Sequence, residues 1–575
     1  MRKVNRIGFA CMAFLCSVVP AVADTFTNTP TFQEFQLTGV PDFDQVRGSA
    51  NVVIDDSTYT VLGLPNTGDE YCVPTSATDW TAFLQSRGYT NLPPGPGPFE
   101  TGYISGGVPG LDRYNAIDLS IYSMGLSMGT NPTSGTYGGA RQGFQNVLSA
   151  SYPGDLVVVS NYREGGYIPR STDIVATGLV GWLPQFVGGW YQTMTYGGKT
   201  VYYRDGGHST AIPQASQAAG FSVVDLWMCN PDAGTGNDIT QSTFSYDFHY
   251  TWPINVSIID VDQYGAPIAG TEYSYTCDEV STVQSATWIF DQLFTVIPFF
   301  GYTVSDDQIT MLNPLAFLNK DAYPNGISTM TSMDGSAITS VSVQPTSARF
   351  YYTTANGGNH LFWTNPVTHK TAFVASQASI RQVLCSADMS PYVLFGTGSI
   401  GRLNPASGEI NVIKTLEKVD RLVLDPVADE LVALNFSGRT ATYVDRHGDT
   451  ITTEQLPAVQ SVADTMVDVG ANEHIYIAEK SNKTMFEVGG PELVSHAIPD
   501  VATASTFAID DWGRVFLSIN GKIKVENLEG QGVSTKFEGM SAGPMLSMIR
   551  GTDNFEKGIN DLPEWRDVLP PAGTF

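Results

Sequence analysis

The sequence predicts a multidomain protein in which an α+β N-terminal domain is followed by an all-β C-terminal domain. From about residue 24 to residue 245, helical and strand-like hydrophobic patterns are mixed, whereas beyond about residue 250 nearly every segment alternates with a period of two. The composition, with 57 Gly, 33 Pro and 11% aromatic residues, is typical of turn-rich β structure with packed cores. These observations argue against a disordered chain and predict a domain change near residue 250.

The second half of the chain repeats itself about every 40 residues. Five similar apolar runs begin at residues 350, 392, 430, 474 and 514, so that successive units lie 42, 38, 44 and 40 residues apart. Each run is followed by another short strand and then by a turn. Units of about 40 residues with four short strands are typical of β-propeller blades. The spacing therefore predicts a propeller of five to seven blades, with a long β-sandwich as the alternative.

These patterns divide the chain into five segments. We expect a signal peptide at residues 1–23, the α+β domain at 24–245, a small β element or linker at 246–300, the propeller at 301–550 and a C-terminal tail at 551–575.

The first 23 residues have the three parts of a secretory signal. Arg2, Lys3 and Arg6 precede an apolar stretch, and a small-residue cleavage site ends at Ala23. No other stretch reaches the roughly 20 apolar residues that a membrane span needs. The sequence therefore predicts a secreted or extracellular protein without a membrane span, with the periplasm or the cell surface as alternatives.

The chain is strongly acidic. Its formal net charge is −27, and removal of the three basic signal residues makes it −30. Such a charge argues against nucleic acid and anionic membranes as partners, because both repel an acidic surface. It favours a cationic partner or a role in solubility.

Cys72 is the most informative residue of the N-terminal domain. It precedes an amphipathic run in which Trp80, Phe83 and Leu84 recur at helical spacing, and Pro74 suits a first helical turn. A helix that begins there directs its free N–H groups and the positive end of its dipole at the sulfur, which favours the thiolate. Cys72 is therefore a candidate nucleophile.

Three further cysteines remain outside the signal peptide. Cys229 and Cys277 lie in polar-flanked, strand-like segments of neighbouring regions, so we predict a disulfide between them. This pairing leaves Cys72 free. Cys385, within an apolar run, is expected to be a buried small hydrophobic residue.

A thiol nucleophile needs an imidazole, and only two histidines precede residue 300. His208 follows two glycines and begins an apolar strand, and the next strand ends at Asn230, with Asp232 two positions further on. His249 lies among aromatic residues and is expected to be a packed core or interface histidine.

This order of residues resembles the papain-like cysteine peptidases, most closely their C39-like branch, over about residues 60–235. The resemblance implies that Cys72 is the nucleophile and that His208 is the general base and acid. It also implies that Asn230 orients the imidazole, with Asp232 as the alternative orienting residue. Asn66, six positions before the cysteine, stands where the family usually has a glutamine that helps to stabilise the oxyanion.

Other chemistries match the sequence less well. Ser127 lies in a Gly-x-Ser-x-Gly pattern, but a serine nucleophile needs a helix after it, and loop-like residues follow. No zinc-binding pattern, clustered cysteine ligands or phosphate-binding glycine loop is present, so we predict no metal and no cofactor.

Together, these features predict an exported thiol-dependent hydrolase, a cysteine peptidase with a Cys-His-Asn triad that acts on a peptide or protein substrate. The propeller is expected to dock that substrate or a cell-surface or extracellular protein partner. The alternative is a non-catalytic secreted surface or matrix protein that binds partners through an inactive peptidase-like fold.

Overall fold

In the computed structural model, two bodies of secondary structure follow one another along the chain. The predicted signal peptide at residues 1–23 and the predicted tail at 551–575 lie outside the described residues. The described residues are 24–29, 31–97, 107–136, 139–152, 156–162, 169–218, 222–232, 246–262, 264–281, 287–298, 301–312, 329–344, 349–356, 360–364, 371–376, 379–385, 391–403, 409–425, 430–445, 447–470, 472–490, 492–510, 513–533, 543 and 545–548.

The first body contains the α-helices that the structure describes and strands β1 to β11. The helices are α1 (Cys72–Ser86), α2 (Gly107–Met128), α3 (Ala140–Ser151) and α4 (Ser171–Leu179). The strands are β1 (Thr25–Asn28), β2 (Phe32–Gln36), β3 (Ala50–Ile54), β4 (Ser57–Val61), β5 (Leu156–Tyr162), β6 (Leu183–Tyr196), β7 (Lys199–Ala218), β8 (Val224–Cys229), β9 (Asp247–Ile258), β10 (Tyr273–Val280) and β11 (Thr287–Pro298).

The main sheet of this body closes on itself. Its strand order is β1-β2-β7-β6-β11-β10-β9-β8, and β8 also pairs with β7, so six strands from β6 to β11 form a ring. Neighbours in the ring are antiparallel. Helix α1 packs against this ring through Trp80, Phe83 and Leu84, which are fully buried in the largest hydrophobic cluster. This closed ring is a barrel. Its long strands, together with the start of α1, carry the residues of the candidate site.

Residues 246–300 differ from the sequence-based expectation of a separate small β element or linker. Strands β9, β10 and β11 lie in this segment, and all three belong to the ring of the first body. The pattern of alternating residues shows that strands are present, but it does not show which strands they pair with. The first body therefore extends to about residue 298.

The predicted disulfide between Cys229 and Cys277 is wrong. Cys229 has a free thiol and is buried in the cluster beneath α1, whereas Cys277 is buried in a different cluster inside the ring. Cys229 ends β8 and Cys277 lies in β10, with β9 between them. Two strand spacings amount to about 9–10 Å, and the Cα atoms of a disulfide lie within about 7 Å of each other.

The second body is a β-propeller made of six sheets. Its strands are β12 (Gly301–Ser305), β13 (Gln308–Leu312), β14 (Thr329–Thr331), β15 (Ile338–Gln344), β16 (Arg349–Thr354), β17 (His360–Thr364), β18 (Thr371–Ser376), β19 (Ile380–Cys385), β20 (Pro391–Phe395), β21 (Ser399–Leu403), β22 (Ile410–Thr415), β23 (Arg421–Asp425), β24 (Glu430–Asn435), β25 (Thr440–Val444), β26 (Thr450–Gln455), β27 (Thr465–Val469), β28 (Ile475–Glu479), β29 (Thr484–Val488), β30 (Val494–Ala497), β31 (Ala504–Ile509), β32 (Val515–Ile519), β33 (Lys522–Glu526) and β34 (Met545–Met548).

Each repeat found in the sequence contributes the second strand of a blade. Strands β15–β18, β19–β22, β23–β26 and β27–β30 form four sheets in chain order, and β31–β33 form a sheet of three described strands. The remaining blade has the order β14-β13-β12-β34, so the C-terminal strand joins the first three strands of the propeller. The count of six lies within the predicted five to seven.

The first strands of the blades surround a central cavity of about 620 Å³. Residues from β15, β19, β23, β27, β31 and β34 line it, which is the arrangement of a closed propeller. Cys385 is 8% exposed in the cluster between two blades, as the sequence indicated.

A continuous hydrophobic cluster joins the two bodies. Val157 and Trp182 of the first body are buried in the same cluster as Tyr302 and Val304 of the first propeller blade. Within the described residues, no helix is both long enough and apolar enough to cross a membrane.

Candidate active site

Cys72 is the first residue of α1, as its sequence context predicted. Tyr71 precedes the helix, and its carbonyl oxygen accepts the first helical hydrogen bond, from the Thr75 N–H at 3.0 Å. The Cys72 thiol is free and partly exposed. The N–H groups of the first turn have no acceptor within the helix, so they point toward the region of the sulfur.

Three hydrogen bonds tie the start of α1 to the barrel strand that carries His208. The Ser76 hydroxyl donates to the Ser209 carbonyl oxygen at 3.0 Å. The buried Gln185 amide donates to the Val73 carbonyl oxygen at 3.1 Å and to the Ser209 hydroxyl at 3.0 Å. In addition, the Ser209 N–H acts to lower the pKa of the Cys72 thiol. Since Ser209 follows His208 directly, these bonds hold the part of the strand next to His208 against the first turns of α1.

A chain of polar side chains orients the imidazole. His208 Nε2 lies 2.7 Å from Asn230 Oδ1, and Asn230 Nδ2 donates to Asp247 Oδ2 at 2.8 Å. Because the amide oxygen can only accept, Nε2 carries the proton and Nδ1 of the neutral ring keeps its lone pair. His208 is therefore held in the tautomer that can accept a proton at Nδ1.

Two tryptophans pack around the imidazole. The Trp190 ring stacks on His208 with 5.9 Å between ring centroids and an interplanar angle of 13°. The centroid of the Trp288 ring lies 6.5 Å from that of the His208 ring. Gly188 is paired with His208 across β6 and β7, and a Cβ atom at Gly188 would lie 1.9 Å from Trp288 Nε1. A glycine is therefore required at position 188 for Trp288 to pack in this place.

Close packing also explains why a glycine, Gly207, directly precedes His208. A Cβ atom at Gly207 would lie 2.0 Å from Arg204 Nη2, on the sheet face opposite to the imidazole. Arg204 is held there by an ion pair with the buried Asp291 at 2.8 Å. The Gly-Gly-His sequence thus lets a guanidinium group pack close behind the strand that carries the imidazole.

Burial shifts the pKa values of the thiol and the imidazole in opposite directions. Burial raises the pKa of Cys72 to about 11, although the N–H groups of Ser209 and Val73 act against this shift. Burial also lowers the pKa of His208, although the hydrogen bond that the ring donates to Asn230 acts to raise it. Desolvation therefore outweighs the helix start, and both the thiol and the imidazole are neutral at neutral pH. The thiolate expected from the sequence is not the resting form.

This protonation state predicts how Cys72 reacts with iodoacetamide. Only the thiolate is alkylated, and its fraction grows about tenfold per pH unit below the thiol pKa. We expect the rate at Cys72 in the His208→Ala variant, measured by mass spectrometry of its tryptic peptide, to rise continuously from pH 6 to pH 9.5, because the thiol pKa is raised to about 11 and no imidazole assists. An unstructured cysteine peptide is the control, and its rate should level off near pH 9.5. A constant rate between pH 5 and pH 8 in this variant would instead show that Cys72 is a thiolate at neutral pH.

Asp247 positions the amide that orients His208, although it does not touch the imidazole. It begins β9, opposite Met228 at the end of β8, which places it beside Asn230. We expect Asp247→Ala to lower the rate of thiol-dependent turnover by about 10-fold to 10²-fold, because the Asn230 amide can then rotate away. Asp247→Asn, which keeps one acceptor oxygen, should restore part of the loss. Equal losses in both variants, or a change in the melting temperature that accounts for them, would contradict a positioning role.

The structure places the other predicted site residues as follows. Of the two predicted orienting residues, Asn230 contacts the imidazole, whereas the Asp232 side chain is exposed and its N–H donates to Asn230 Oδ1 at 3.2 Å. Asn66 is exposed, and its amide donates to the Pro132 carbonyl oxygen at 3.1 Å. The role of Asn66 at the oxyanion stays a prediction.

Ser127 lies within the last turn of α2 and donates to the Gly143 carbonyl oxygen, so it does not occupy the turn that a serine nucleophile needs.

Sequence reasoning did not identify Asp247, Gln185 or Trp288 as residues of this site. Each is distant in sequence from Cys72 and His208, and none lies in a recognisable motif. Strand pairing alone brings them to the site, so only the fold could reveal them.

A pocket of about 460 Å³ opens on the side of His208 where Asn230 binds. His249 lines it, with Nδ1 2.7 Å from the Ser281 carbonyl oxygen and its ring edge-on to Trp288 at 5.4 Å. Among the described residues, no group of three or more His, Cys, Asp or Glu side chains is arranged to hold a metal ion.

Comparison with solved structures gives low-scoring similarity to β-propeller-like folds. No family model and no curated protein matches the sequence. A catalytically inactive virginiamycin B lyase from Staphylococcus aureus with quinupristin is 13% identical, with a TM-score of 0.29, and is matched over 46% of this chain and 95% of that one. A nidogen/laminin complex is 6% identical over 44% and 100%, with a TM-score of 0.33. A gluconolactonase from Xanthomonas campestris is 12% identical over 37% and 86%, with a TM-score of 0.28.

These likenesses are too weak to carry an argument about function. The assignment of residues from about 301 as a propeller rests on the six sheets and their ring closure. The chemistry of the first body has to be argued from its own residues.

Proposed function

We propose that this chain is an exported thiol-dependent hydrolase, a papain-like cysteine peptidase that acts through Cys72, His208 and Asn230. The observation that supports the proposal is the hydrogen bond of 2.7 Å between His208 and Asn230, together with a free thiol at the start of the helix that is bonded to the same strand. This hydrogen bond occupies Nε2 and leaves Nδ1 as the ring nitrogen that can accept a proton. The site also provides a nucleophile, a base and a residue that orients the base, which is the combination that nucleophilic catalysis requires.

The reaction would proceed through an acyl group on sulfur. His208 Nδ1 takes the proton from the Cys72 thiol while the sulfur attacks the carbonyl carbon of the substrate. The imidazolium then gives this proton to the leaving amine as the carbon–nitrogen bond breaks. A water molecule, deprotonated by the same imidazole, attacks the thioester, and the thiol regains its proton as the acid product leaves.

The helix start would stabilise the negative charge that forms on the carbonyl oxygen. The Cys72 N–H has no acceptor within α1 and lies at the positive end of the helix dipole. Preorganised donors of this kind are commonly the largest single contribution to acyl transfer. Asn66 would supply a second donor after rotation of its side chain away from Pro132.

The neutral resting pair is compatible with this mechanism. A neutral imidazole is the form that can accept a proton, and the lowered pKa of His208 keeps it neutral at pH 7. Proton transfer would then accompany the attack and would not precede binding. The propeller, joined to the first body by a hydrophobic cluster, would serve as the docking surface for the protein substrate or an extracellular partner.

The test combines covalent labelling with peptide hydrolysis. We expect the full-length chain to be labelled by a peptidyl vinyl sulfone at Cys72 only and to cleave members of an internally quenched peptide library. Cys72→Ala should abolish both activities. A chain that is folded by circular dichroism, yet unlabelled while its denatured form reacts, would support the alternative of a non-catalytic binding protein.

A further inference from the structure

The pocket beside His208 has an aromatic wall. Trp190 and Trp288 form its inner side, and Phe248 and Tyr250, which are 53% and 46% exposed, form its rim. Aromatic rings present a negative face, and several of them around one cavity attract cations. Four large rings in a pocket of about 460 Å³ leave room for one extended side chain.

The polar residues of the same pocket are mostly acidic. Asp232 and Asp247 line it, together with Asn230, Ser281 and His249. Among the described residues, none that lines the pocket is a lysine or an arginine. The chain as a whole carries a net charge of −27, so the surrounding field also favours a positive ligand.

The pocket adjoins the imidazole of the candidate site. His208 and Asn230 both line it, so it opens on the Nε2 side of the ring and continues toward Asp247 and His249. Cys72 is not among its lining residues. A substrate side chain in the pocket would therefore lie next to the histidine–asparagine pair.

We propose that this pocket binds a cationic side chain of the substrate, lysine or arginine. This inference rests on the proposed peptidase function. The aromatic rings contact the stem and the delocalised charge of the side chain, and the carboxylates of Asp232 and Asp247 pair with its positive end. Neutral side chains of the same length gain only the contact with the rings.

The first test measures binding without turnover. Arginine amide and its neutral isostere citrulline amide are titrated into the full-length Cys72→Ala variant at pH 8, and binding is followed by tryptophan fluorescence and calorimetry. We expect saturable binding of arginine amide at least about 10-fold tighter than that of citrulline amide. Asp232→Asn should weaken the binding of arginine amide by about 3-fold or more. Asp449→Asn, which removes one exposed carboxylate from the propeller, is the matched control and should leave the affinity unchanged.

The second test measures cleavage in the wild-type chain. Pairs of quenched peptides differ only in lysine or glutamine at one position near the scissile bond, each position being tested in turn, and we expect the lysine peptide to have the higher kcat/KM by about 10-fold at one of them. Equal affinities for the two amides, or equal kcat/KM values within every pair of peptides, would overturn the cation pocket while leaving the peptidase in place. A preference for arginine amide without hydrolysis of any peptide would overturn the peptidase and leave the binding pocket.

Discussion

His208→Ala should lower the second-order rate constant for labelling of Cys72 by a peptidyl vinyl sulfone by about 10²-fold to 10⁴-fold at pH 7. The expectation follows from the protonation state of the resting site. Burial raises the pKa of the thiol to about 11, so almost no thiolate exists at pH 7 unless a base removes the proton during attack. The imidazole of His208 is the base that the site provides, and its Nε2 is already engaged by Asn230.

The control for this prediction is His447→Ala. His447 is exposed in a turn of the propeller, so its loss changes the histidine content without touching the site. The labelling rate of Cys72 in His447→Ala should equal that in the wild-type chain. The effect of His208→Ala should also shrink as the pH rises toward the thiol pKa, because hydroxide then replaces the base. An unchanged rate in His208→Ala at pH 7, with the fold intact, would remove His208 from the mechanism.

Removal of the C-terminal strand should destabilise the propeller strongly. Strand β34 pairs with β12 from Gly301 to Val304, and the Ser518 hydroxyl of the last sheet donates to the Gly543 carbonyl oxygen just before that strand. The strand thus connects the last sheet to the first. A chain that ends after residue 542 loses this closure and leaves the edge of β12 unpaired.

We expect this truncation to cost at least about 3 kcal/mol of unfolding free energy from the lost ladder alone. For a domain of this size, that loss corresponds to a fall of about 6–12 °C in the melting temperature. Differential scanning calorimetry and limited proteolysis measure it. A chain that ends after residue 550 keeps β34 and is the matched control. If both truncations melt at the same temperature as the full chain, the ring does not depend on β34.

Features carried by local sequence patterns were predicted well. The helix that starts at Cys72 follows from the spacing of Trp80, Phe83 and Leu84, which all face the core. The propeller follows from a repeat of about 40 residues, because each unit buries the same kind of strand against its neighbours. Asn230 was identified because it follows the end of a recognisable strand, whereas His208, expected to begin a strand, lies within β7.

Features that depend on strand partners could not be predicted. The chain does not indicate that β9 returns to pair with β8, so Asp247 was missed, and residues 246–300 were expected to form a separate element. The same strand separates Cys229 from Cys277 and explains why no disulfide joins them. The charge of the thiol was also misjudged, because the desolvation that raises its pKa depends on the surrounding fold.

The most direct measurement of the proposed chemistry is the mass of the intact chain after brief reaction with a peptide p-nitrophenyl ester and an acid quench. An acyl group on Cys72 is the intermediate that the site geometry predicts. We expect an increase equal to one acyl group, located at Cys72 by peptide mapping and absent from Cys72→Ala. Hydrolysis of the ester at the same rate by the wild-type chain and by Cys72→Ala, with no acyl group on the sulfur, would contradict a thiol mechanism.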